Sequence, residues 1–198
     1  MFIYPKTYRK LKRGPQVILP KDIGIILAYA GIDKNSVCVD AGTGSGWLAV
    51  SLARLCRHVY SYDIRADFLK IAEYNVNYLG LDNVTLENGD VTKRINEKDV
   101  DLVTLDLPGS EKALRNAKKA LKPGGTVVGY LPHTEQVKAF VLKLNSLGFT
   151  DVHTIEVIVR DYLVRKESGV RPTNTGLWHT AYLVFARKQA EMRAPAHQ

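Results

Sequence analysis

The sequence predicts an α/β fold in which a mostly parallel sheet carries helices on both faces and ends in an antiparallel hairpin. Two observations lead to this prediction. Short runs rich in β-branched residues alternate with longer segments of helical periodicity, which is typical of parallel sheets. The last two strand-like runs then follow one another without a helical segment between them, and such neighbours pair antiparallel.

The alternating part contains five predicted strands and four predicted helices. The strands are expected at 36–40, 58–63, 83–88, 100–106 and 125–131. The helices are expected at 47–56, 66–79, 111–121 and 134–147, and proline or glycine marks two of their ends, at 122–125 and at 148. The closing strands are expected at 151–165 and 179–188, joined by a polar loop rich in glycine and proline.

Composition indicates a soluble globular chain of ordinary size. It has 198 residues, 45% of them hydrophobic and 24% charged. No run approaches the ~20 apolar residues of a membrane span, and the early charges argue against a signal peptide. Two cysteines, Cys38 and Cys56, are too few for a disulfide scaffold or a cysteine-rich zinc site. We therefore expect a cytoplasmic location, no membrane partner and no metal.

The net charge of +8 indicates either an affinity for polyanions or a surplus that serves solubility. The position of the charges favours polyanions, because five cations cluster in the first thirteen residues, interleaved with Tyr4 and Tyr8. These cations are Lys6, Arg9, Lys10, Lys12 and Arg13. We expect residues 1–13 to form a basic extension, 14–188 a single domain and 189–198 a disordered tail.

A glycine loop follows the first predicted strand, where residues 40–47 read Asp-Ala-Gly-Thr-Gly-Ser-Gly-Trp. Glycines let the backbone turn tightly and approach a ligand, and a helix N-terminus offers free N–H groups to it. The G-x-G-x-G spacing differs from the G-x-G-x-x-G of dinucleotide-binding proteins. Alone, the loop is compatible with NAD, FAD or S-adenosylmethionine, or with a tight turn of no further function.

Acidic residues end or follow four predicted strands, namely Asp40, Asp63, Asp90 and Asp106. Because the carboxyl ends of parallel strands line the binding crevice, we expect these side chains around one site. Asp63 lies about twenty residues beyond the loop, where an acidic group accepts ribose hydroxyls. A strand-end aspartate can also start a turn or cap a helix, and a cap at Gly109 is the alternative for Asp106.

The predicted architecture resembles the seven-stranded fold of class I methyltransferases. Five segments further resemble the TrmI-type tRNA (adenine-N1)-methyltransferases, which act on adenosine-58 of the T-loop. These segments are 13–24, 63–68 with Ala72 and Asn75, 105–108, 132–137, and 171–172 followed by 179–183. All class I methyltransferases share the glycine loop, whereas Gln-x-x-x-Pro-Lys-Asp, Glu-Gln-Val and Arg-Pro…His-Thr are more specific to this family.

The resemblance implies S-adenosylmethionine as methyl donor and N1 of a tRNA adenine as acceptor. The donor contacts it implies are Gln16, Asp40, Gly42, Thr43, Gly44, Ser45, Gly46, Trp47, Asp63, Ile64, Phe68, Asp90, Val91 and Asp106. Asp63 would bind the ribose and Asp90 the adenine of the donor. Substrate contacts are expected from Lys21, Arg171 and His179, and from the N-terminal Lys10, Lys12 and Arg13.

Asp106 is the predicted catalytic residue. Its carboxylate would accept a hydrogen bond from the 6-amino group of the target adenine, raise electron density at N1 and stabilise the positive charge of the methylated ring. N1 lies on the Watson–Crick edge, so the target base must leave its stack. Tyr130, Trp178 and Tyr182 are candidates for stacking on it, although such residues more often serve ordinary core or strand packing.

The chain departs from the family pattern at three places. About ten residues stand where the family usually has a β-rich N-terminal domain. Gly109-Ser110-Glu111 replaces an acidic-Pro-Trp sequence, and Leu19 stands where tyrosine is frequent. The family forms tetramers, so a homo-oligomer is expected.

Two other function classes stay open. Another class I methyltransferase, of the corrin-ring or protein isoaspartate type, would share the glycine loop and Asp63. A non-catalytic RNA-binding subunit would need neither the loop nor Asp106. Both features are present together with the 135–137 motif, and this favours the tRNA enzyme. Whether the neighbouring adenosine-57 is also modified stays open.

Overall fold

Seven strands form one sheet in the computed structural model, which describes residues 5–14, 16–166, 169–173 and 179–190. The strands are β1 (Val37–Ala41), β2 (His58–Asp63), β3 (Val84–Asn88), β4 (Val100–Leu105), β5 (Leu121–Leu131), β6 (Phe149–Glu156) and β9 (Tyr182–Lys188). Their spatial order is β3-β2-β1-β4-β5-β9-β6. The first five are parallel, and β9 runs antiparallel between β5 and β6. This confirms the predicted α/β architecture.

Helices cover both faces of the sheet. They are α1 (Lys6–Arg9), α2 (Pro20–Ala30), α3 (Trp47–Ala53), α4 (Ala66–Tyr78), α5 (Leu114–Ala120) and α6 (Thr134–Ser146), with a 3₁₀ turn at Ser110–Lys112. The helices α2 and α3 bury apolar side chains against one face, and α5 and α6 do so against the other. Within the described residues, no helix is long and apolar enough to cross a membrane.

The helix α2 is an element that the sequence prediction missed. Its boundaries carry ordinary signals, since Pro20 occupies the first turn and Gly31 ends the helix with a φ of 64°. The side chains of Ile23 and Ile26 on this helix are almost fully buried. The segment therefore closes one face of the sheet before the first strand begins.

The C-terminal strands differ from the prediction. The run 151–165 was expected as one strand, but it divides into β6 and β7 (Tyr162–Arg165). The expected loop contains β8 (Gly169–Pro172), which pairs with β7 in a separate hairpin. The break begins where the ladder with β9 ends, at Glu156, and the next carbonyl, of Val157, accepts a hydrogen bond from the Lys21 side chain. Residues 191–198 of the predicted tail lie outside the described residues.

A buried ion pair fastens α2 to the C-terminal strands. The Lys21 ammonium donates to Asp22 Oδ1 (2.8 Å), to the Val157 carbonyl (2.7 Å) and to Thr180 Oγ1 (2.7 Å). Thr180 Oγ1 in turn donates to Asp22 Oδ2 at 2.8 Å. The side chains of Lys21 and Asp22 are 3% and 0% exposed. All three ammonium protons are thus used inside the protein.

Replacing Lys21 should strongly destabilise the fold. In Lys21→Met the Asp22 carboxylate stays buried without its counter-ion, and breaking a buried pair in this way costs about 3–5 kcal/mol. The free energy of unfolding, measured by urea titration, should fall by that amount. Lys34→Met removes an exposed lysine and should change it by less than about 0.5 kcal/mol. Equal stability of the two variants would contradict the role given to Lys21.

Candidate active site

The site lies where the strand order reverses. From β1 the sheet continues to β2 and β3 on one side and to β4 and β5 on the other. In such sheets ligands bind in the crevice outside the carboxyl ends of the two central strands. The glycine loop after β1 and Asp106 after β4 meet at this point, with the Gly42 amide 3.3 Å from the Asp106 carbonyl oxygen.

At two positions of the glycine loop, neighbouring atoms leave too little space for a Cβ atom. A Cβ at Gly42 would lie 3.2 Å from the Asp106 carbonyl oxygen and 3.5 Å from Asp63 Oδ2. A Cβ at Gly46, whose φ is 78°, would lie 3.0 Å from the Cβ of Ala72 on α4. The backbone of the loop is therefore pressed between two strand ends and a helix, as close approach to a ligand demands.

Asp63 holds the loop from the end of β2. Its Oδ2 accepts the Gly44 amide at 2.8 Å, and its Oδ1 accepts the Arg65 amide at 2.9 Å. The residue is 9% exposed. Each oxygen thus has one backbone donor and keeps a further lone pair.

Beyond Asp63, the start of α4 presents apolar and aromatic groups beside the loop. Ile64 is 70% exposed, which is unusual for isoleucine. Phe68 lies under the Arg65 guanidinium, 3.3 Å from the ring centroid to the guanidinium carbon. These side chains can form the wall of a pocket for an aromatic ligand group.

The carboxylate of Asp106 stands at the crevice without a hydrogen-bond donor among the described residues. The 3₁₀ turn that follows Gly109 has no side-chain cap, so the alternative role as a helix cap is not realised. Burial raises the pKa of Asp106 to about 7, and the negative charges of Asp40 and Asp63 contribute to this shift. Three carboxyl groups concentrate negative potential here, which favours a bound cation.

Asp40 supports the site from inside the sheet. Its Oδ2 accepts Ser61 Oγ at 2.7 Å, and its Oδ1 accepts Thr104 Oγ1 at 2.8 Å. Burial raises the pKa of Asp40 to about 6 despite these donors. The Thr43 hydroxyl bonds to the same Ser61 at 2.8 Å. The side chains of Asp40 and Thr43 are thus hydrogen-bonded within the protein, and their place among the donor contacts stays a prediction.

Trp47 lies at the start of α3, directly after the glycine loop. The residue is 4% exposed, and Nε1 donates to the Lys12 carbonyl at 3.1 Å. The indole therefore ties the N-terminal segment to α3, and its contact with the donor stays a prediction. Val91, 3% exposed, similarly packs in the core beside Asp90.

The N-terminal segment passes over the glycine loop. The Gly14 position lies within about 4 Å of Ser45 and Phe68, since a Cβ there would be 3.7 Å from Ser45 Cβ and 3.8 Å from Phe68 Cε1. Ser45 is 2% exposed, and its Oγ has no hydrogen-bond partner among the described residues. A buried hydroxyl without a partner is costly, so it indicates a ligand atom at this point. Gln16, further along the segment, is exposed.

Asp90 lies beyond β3 at the outer end of the crevice. Its Oδ1 accepts the Thr92 amide at 2.9 Å and Thr92 Oγ1 at 2.6 Å, and these bonds hold the pKa of Asp90 below its usual value. The carboxylate is thus ionised and oriented, with Lys93 3.8 Å from its Oδ2.

The opposite wall is formed by the ends of β5, β6 and β9. Tyr130 is half-buried, and burial together with the nearby Asp22 carboxylate raises the pKa of its hydroxyl. His179 Nε2 donates to the Pro132 carbonyl at 2.9 Å, and Nδ1 lies 2.6 Å from Glu156 Oε1. These two contacts raise the pKa of His179. The imidazole is therefore a cross-link between strand ends as well as an exposed group.

The predicted substrate residues do not all come together. The Lys21 ammonium is buried and fully hydrogen-bonded, so the predicted substrate contact is replaced by a structural one. Arg171 lies on the β7–β8 hairpin, outside the main sheet. Lys10, Lys12 and Arg13 are exposed on the N-terminal segment. Trp178 lies outside the described residues.

Sequence reasoning missed several residues that build the site. Ser61 and Thr104 bracket Asp40, and the Asn88 amide donates to the Asp63 carbonyl at 2.9 Å. Asn75, fully buried, donates to the carbonyls of Lys12 and Ser45 at 2.8 Å each. Polar residues at strand or helix positions predicted to face the core were the signal that could have identified them.

The comparisons with known proteins agree with this geometry. A family model described as the GCD14 subunit of a tRNA methyltransferase complex matches residues 7–170. A TrmI tRNA (adenine(57)-N(1)/adenine(58)-N(1))-methyltransferase from Methanocaldococcus jannaschii is 41% identical, over 92% of this chain and 75% of that protein.

Solved structures extend the agreement to the fold. The tRNA (m1A58) methyltransferase TrmI from Aquifex aeolicus superposes with a TM-score of 0.85 at 28% identity, over 92% of this chain and 74% of that one. A SAM-dependent O-methyltransferase from Thermotoga maritima superposes with a TM-score of 0.88 at 32% identity, over 96% of this chain and 74% of that one. With the family model matched over most of its length, the chain belongs to the GCD14 family of tRNA methyltransferases and has the class I S-adenosylmethionine-dependent fold.

Proposed function

We propose that this chain is an S-adenosylmethionine-dependent tRNA methyltransferase that forms N1-methyladenosine at adenosine-58 of the T-loop. The observation that carries the proposal is the Asp106 carboxylate, which lies beside the glycine loop in a member of this family and has no hydrogen-bond donor among the described residues. A carboxylate so placed is suited to an acceptor that brings an amino group and develops positive charge.

The residues present fit S-adenosylmethionine. The unpartnered Ser45 hydroxyl can bind a polar group of its methionine part. Asp63, whose oxygens each accept one backbone amide, keeps lone pairs that can accept the ribose hydroxyls. We propose that Ile64, Phe68 and Asp90 take the adenine ring and its amino group, and that Gln16 and Val91 complete the donor contacts. The carboxyl groups of Asp40, Asp63 and Asp106 suit the positive charge of the donor.

When bound, S-adenosylmethionine supplies a methyl group that is already activated on a sulfonium. The work left to the protein is positioning and electrostatics. Asp106 accepts a hydrogen bond from the 6-amino group of the target adenine, which raises electron density at N1. As N1 takes the methyl group, the ring becomes positively charged, and the same carboxylate stabilises that charge.

Other residues hold the two partners in place. Tyr130, between Asp22 and Asp106, offers a ring beside the target base. His179 and Arg171 supply polar contacts to the RNA around it. The N-terminal segment at Gly14 covers the glycine loop and limits the access of water.

The function is tested by primer extension on total tRNA from cells with and without the gene. N1-methyladenosine blocks base pairing, so reverse transcription should stop at position 58 only when the gene is present. A second stop at position 57 would show that the neighbouring adenosine is also modified. Identical patterns in both strains, together with no transfer from labelled donor to unmodified tRNA in vitro, would contradict the proposal.

We further propose a cytoplasmic homo-oligomer, a tetramer by resemblance to the family. Support comes from an apolar surface on and before the β7–β8 hairpin, where five side chains are 45–77% exposed: Ile158, Val159, Tyr162, Val164 and Val170. Apolar patches of this kind mark protein interfaces. The two free cysteines, both buried, agree with a reducing compartment.

Charges on the hairpin should therefore dissociate the oligomer. Val164→Lys with Val170→Lys places two cations on the apolar surface, whereas Lys34→Glu changes an exposed residue elsewhere. Light scattering after size-exclusion chromatography should give a lower mass for the double variant only. A wild-type protein that is monomeric at assay concentration would contradict the oligomer.

Asp63→Asn should weaken donor binding while the fold stays intact. The amide loses one acceptor oxygen and the negative charge, at a cost of about 1–3 kcal/mol in binding. Titration calorimetry should show a Kd for S-adenosylmethionine raised about 5- to 150-fold. Asp67→Asn is the matched control, because the Asp67 side chain is 74% exposed in the first turn of the following helix, α4. An unchanged Kd in the folded Asp63→Asn variant would remove Asp63 from the donor site.

Asp106→Asn should slow methyl transfer but leave the chain folded. Loss of a preorganised electrostatic contact reduces the rate about 10²–10³-fold. Single-turnover transfer from labelled donor to tRNA measures this, with Glu111→Gln as a control on the adjacent turn. If Asp106→Asn turns over like the wild type, the proposed mechanism is wrong.

The pH dependence follows from the raised pKa of Asp106. Protonated Asp106 cannot assist the acceptor, so the single-turnover rate should rise with pH up to about 7 and then level off. The free energy of unfolding changes with pH in the opposite direction to the rate. Because the folded state favours neutral Asp106, this carboxyl contributes stability below pH 3.8 and loses that contribution as the pH rises through about 7. Asp106→Asn should therefore have a higher Tm than the wild type at pH 8, by about 2–4 °C for each kcal/mol recovered.

A further inference from the structure

The N-terminal segment is anchored to the protein by its backbone and by two of its side chains, Tyr8 and Leu11. The Tyr8 hydroxyl bonds to Ser51 Oγ, and the rings of Tyr8 and Trp47 lie 5.2 Å apart. Leu11 is 7% exposed. The Lys12 amide donates to Asn75 Oδ1, and its carbonyl accepts Asn75 Nδ2, both at 2.8 Å. The course of this segment over α3 and α4 is thus fixed independently of its charged side chains.

The cations of the same segment are left at the surface. Lys6, Arg9 and Lys10 line a cleft of about 650 Å³ together with Tyr78 and Leu79. In the described part of the chain, no carboxylate forms an ion pair with Lys6, Lys10 or Lys12. The segment therefore presents positive charge on a rigid support.

Two tyrosines of α4 continue this surface. The Lys12 ammonium lies 3.6 Å from the ring centroid of Tyr74. The rings of Tyr74 and Tyr78 are nearly parallel, at 9°, with centroids 6.3 Å apart. They are 42% and 46% exposed. Neither ring is buried in the core, so packing alone does not account for a stacked aromatic pair beside lysines.

We propose that Lys6, Arg9, Lys10, Lys12, Tyr74 and Tyr78, the α1–α4 surface, form a docking site for the sugar-phosphate backbone of tRNA outside the catalytic crevice. The identity of the RNA rests on the proposed function. Clustered ammonium and guanidinium groups neutralise phosphates, and exposed rings stack on unpaired bases. A site of this composition suits RNA better than an acidic peptide, which offers no ring to the tyrosines.

The position of the α1–α4 surface relative to the crevice suits the docking of tRNA. The helix α4 begins beside Asp63 at the crevice, and Tyr74 and Tyr78 lie nine and thirteen residues beyond Arg65. At 1.5 Å per residue these positions are about 13 and 20 Å from the start of the helix. Extruding the target base costs a few kcal/mol, and contacts at this distance supply binding energy without occupying the crevice.

A second basic cleft lies between α5 and α6, on the other face of the sheet. It has a volume of about 390 Å³ and contains Lys112, Arg115 and Lys143. It also contains the carboxylate of Glu111 and no aromatic ring. With three cations but no stacking group, it is a matched control for the effect of charge alone.

The test compares two triple variants that each remove three positive charges. One is Lys6→Gln/Lys10→Gln/Lys12→Gln, which keeps the backbone contacts of Lys12, and the other is Lys112→Gln/Arg115→Gln/Lys143→Gln. Filter binding of unmodified tRNA at 50, 100 and 200 mM salt gives Kd and its salt dependence. The first variant should raise Kd about tenfold or more and flatten the log–log slope by about 2–3 units. The second variant should change the Kd for tRNA and the salt slope much less. The Kd for S-adenosylmethionine should be unchanged in both variants.

The tyrosines are tested separately. Tyr74→Ala/Tyr78→Ala should weaken tRNA binding about tenfold, whereas Tyr74→Phe/Tyr78→Phe keeps the rings and should bind like the wild type. Circular dichroism excludes unfolding as the cause. Equal salt slopes for the two triple variants would overturn the α1–α4 surface, even if the wild type methylates tRNA. Failure of the wild type to methylate or bind tRNA would instead overturn the proposed function.

Discussion

The close approach of the glycine loop to the ends of β2 and β4 is the constraint on which the site depends. The Gly42 backbone lies against the Asp106 carbonyl and the Asp63 carboxylate, and Asp63 holds the Gly44 amide. A side chain at position 42 would separate the strand ends and open the crevice. The parallel sheet supplies this arrangement, because only at the switch point do two adjacent strands send their following loops in opposite directions.

The same crowding determines the electrostatics. Asp40, Asp63 and Asp106 lie at the carboxyl ends of neighbouring strands. Their carboxyl groups therefore share one small region that is partly shielded from water. Hydroxyl donors from β2 and β4 satisfy Asp40, and backbone amides satisfy Asp63. Asp106 receives neither, and burial raises its pKa to about 7, against about 6 for Asp40. The unsatisfied carboxyl is a cost to the folded protein, and it is the group available to a positively charged partner.

The sequence predicted the sheet well because its signals are local. The strand expected at 58–63 is found at His58–Asp63, and the helix expected at 66–79 is found at Ala66–Tyr78. The position of the glycine loop and of Asp63 and Asp106 at one crevice follows from the parallel topology. The break between β6 and β7 was not predictable, because it involves Lys21 bonding to the carbonyl of Val157, a contact across 136 residues.

Lys21 shows most clearly why residue type and spacing do not settle a role. Lys21 lies between a proline and an aspartate, in a segment that resembles the TrmI-type methyltransferases. It is therefore a reasonable candidate for an RNA contact. The fold instead brings it to Thr180, where the ammonium loses all contact with solvent. Two segments that resemble the family separately, 13–24 and 179–183, thus bind each other. A buried contact between the two segments, through Lys21, Asp22 and Thr180, thus holds the wall of the site.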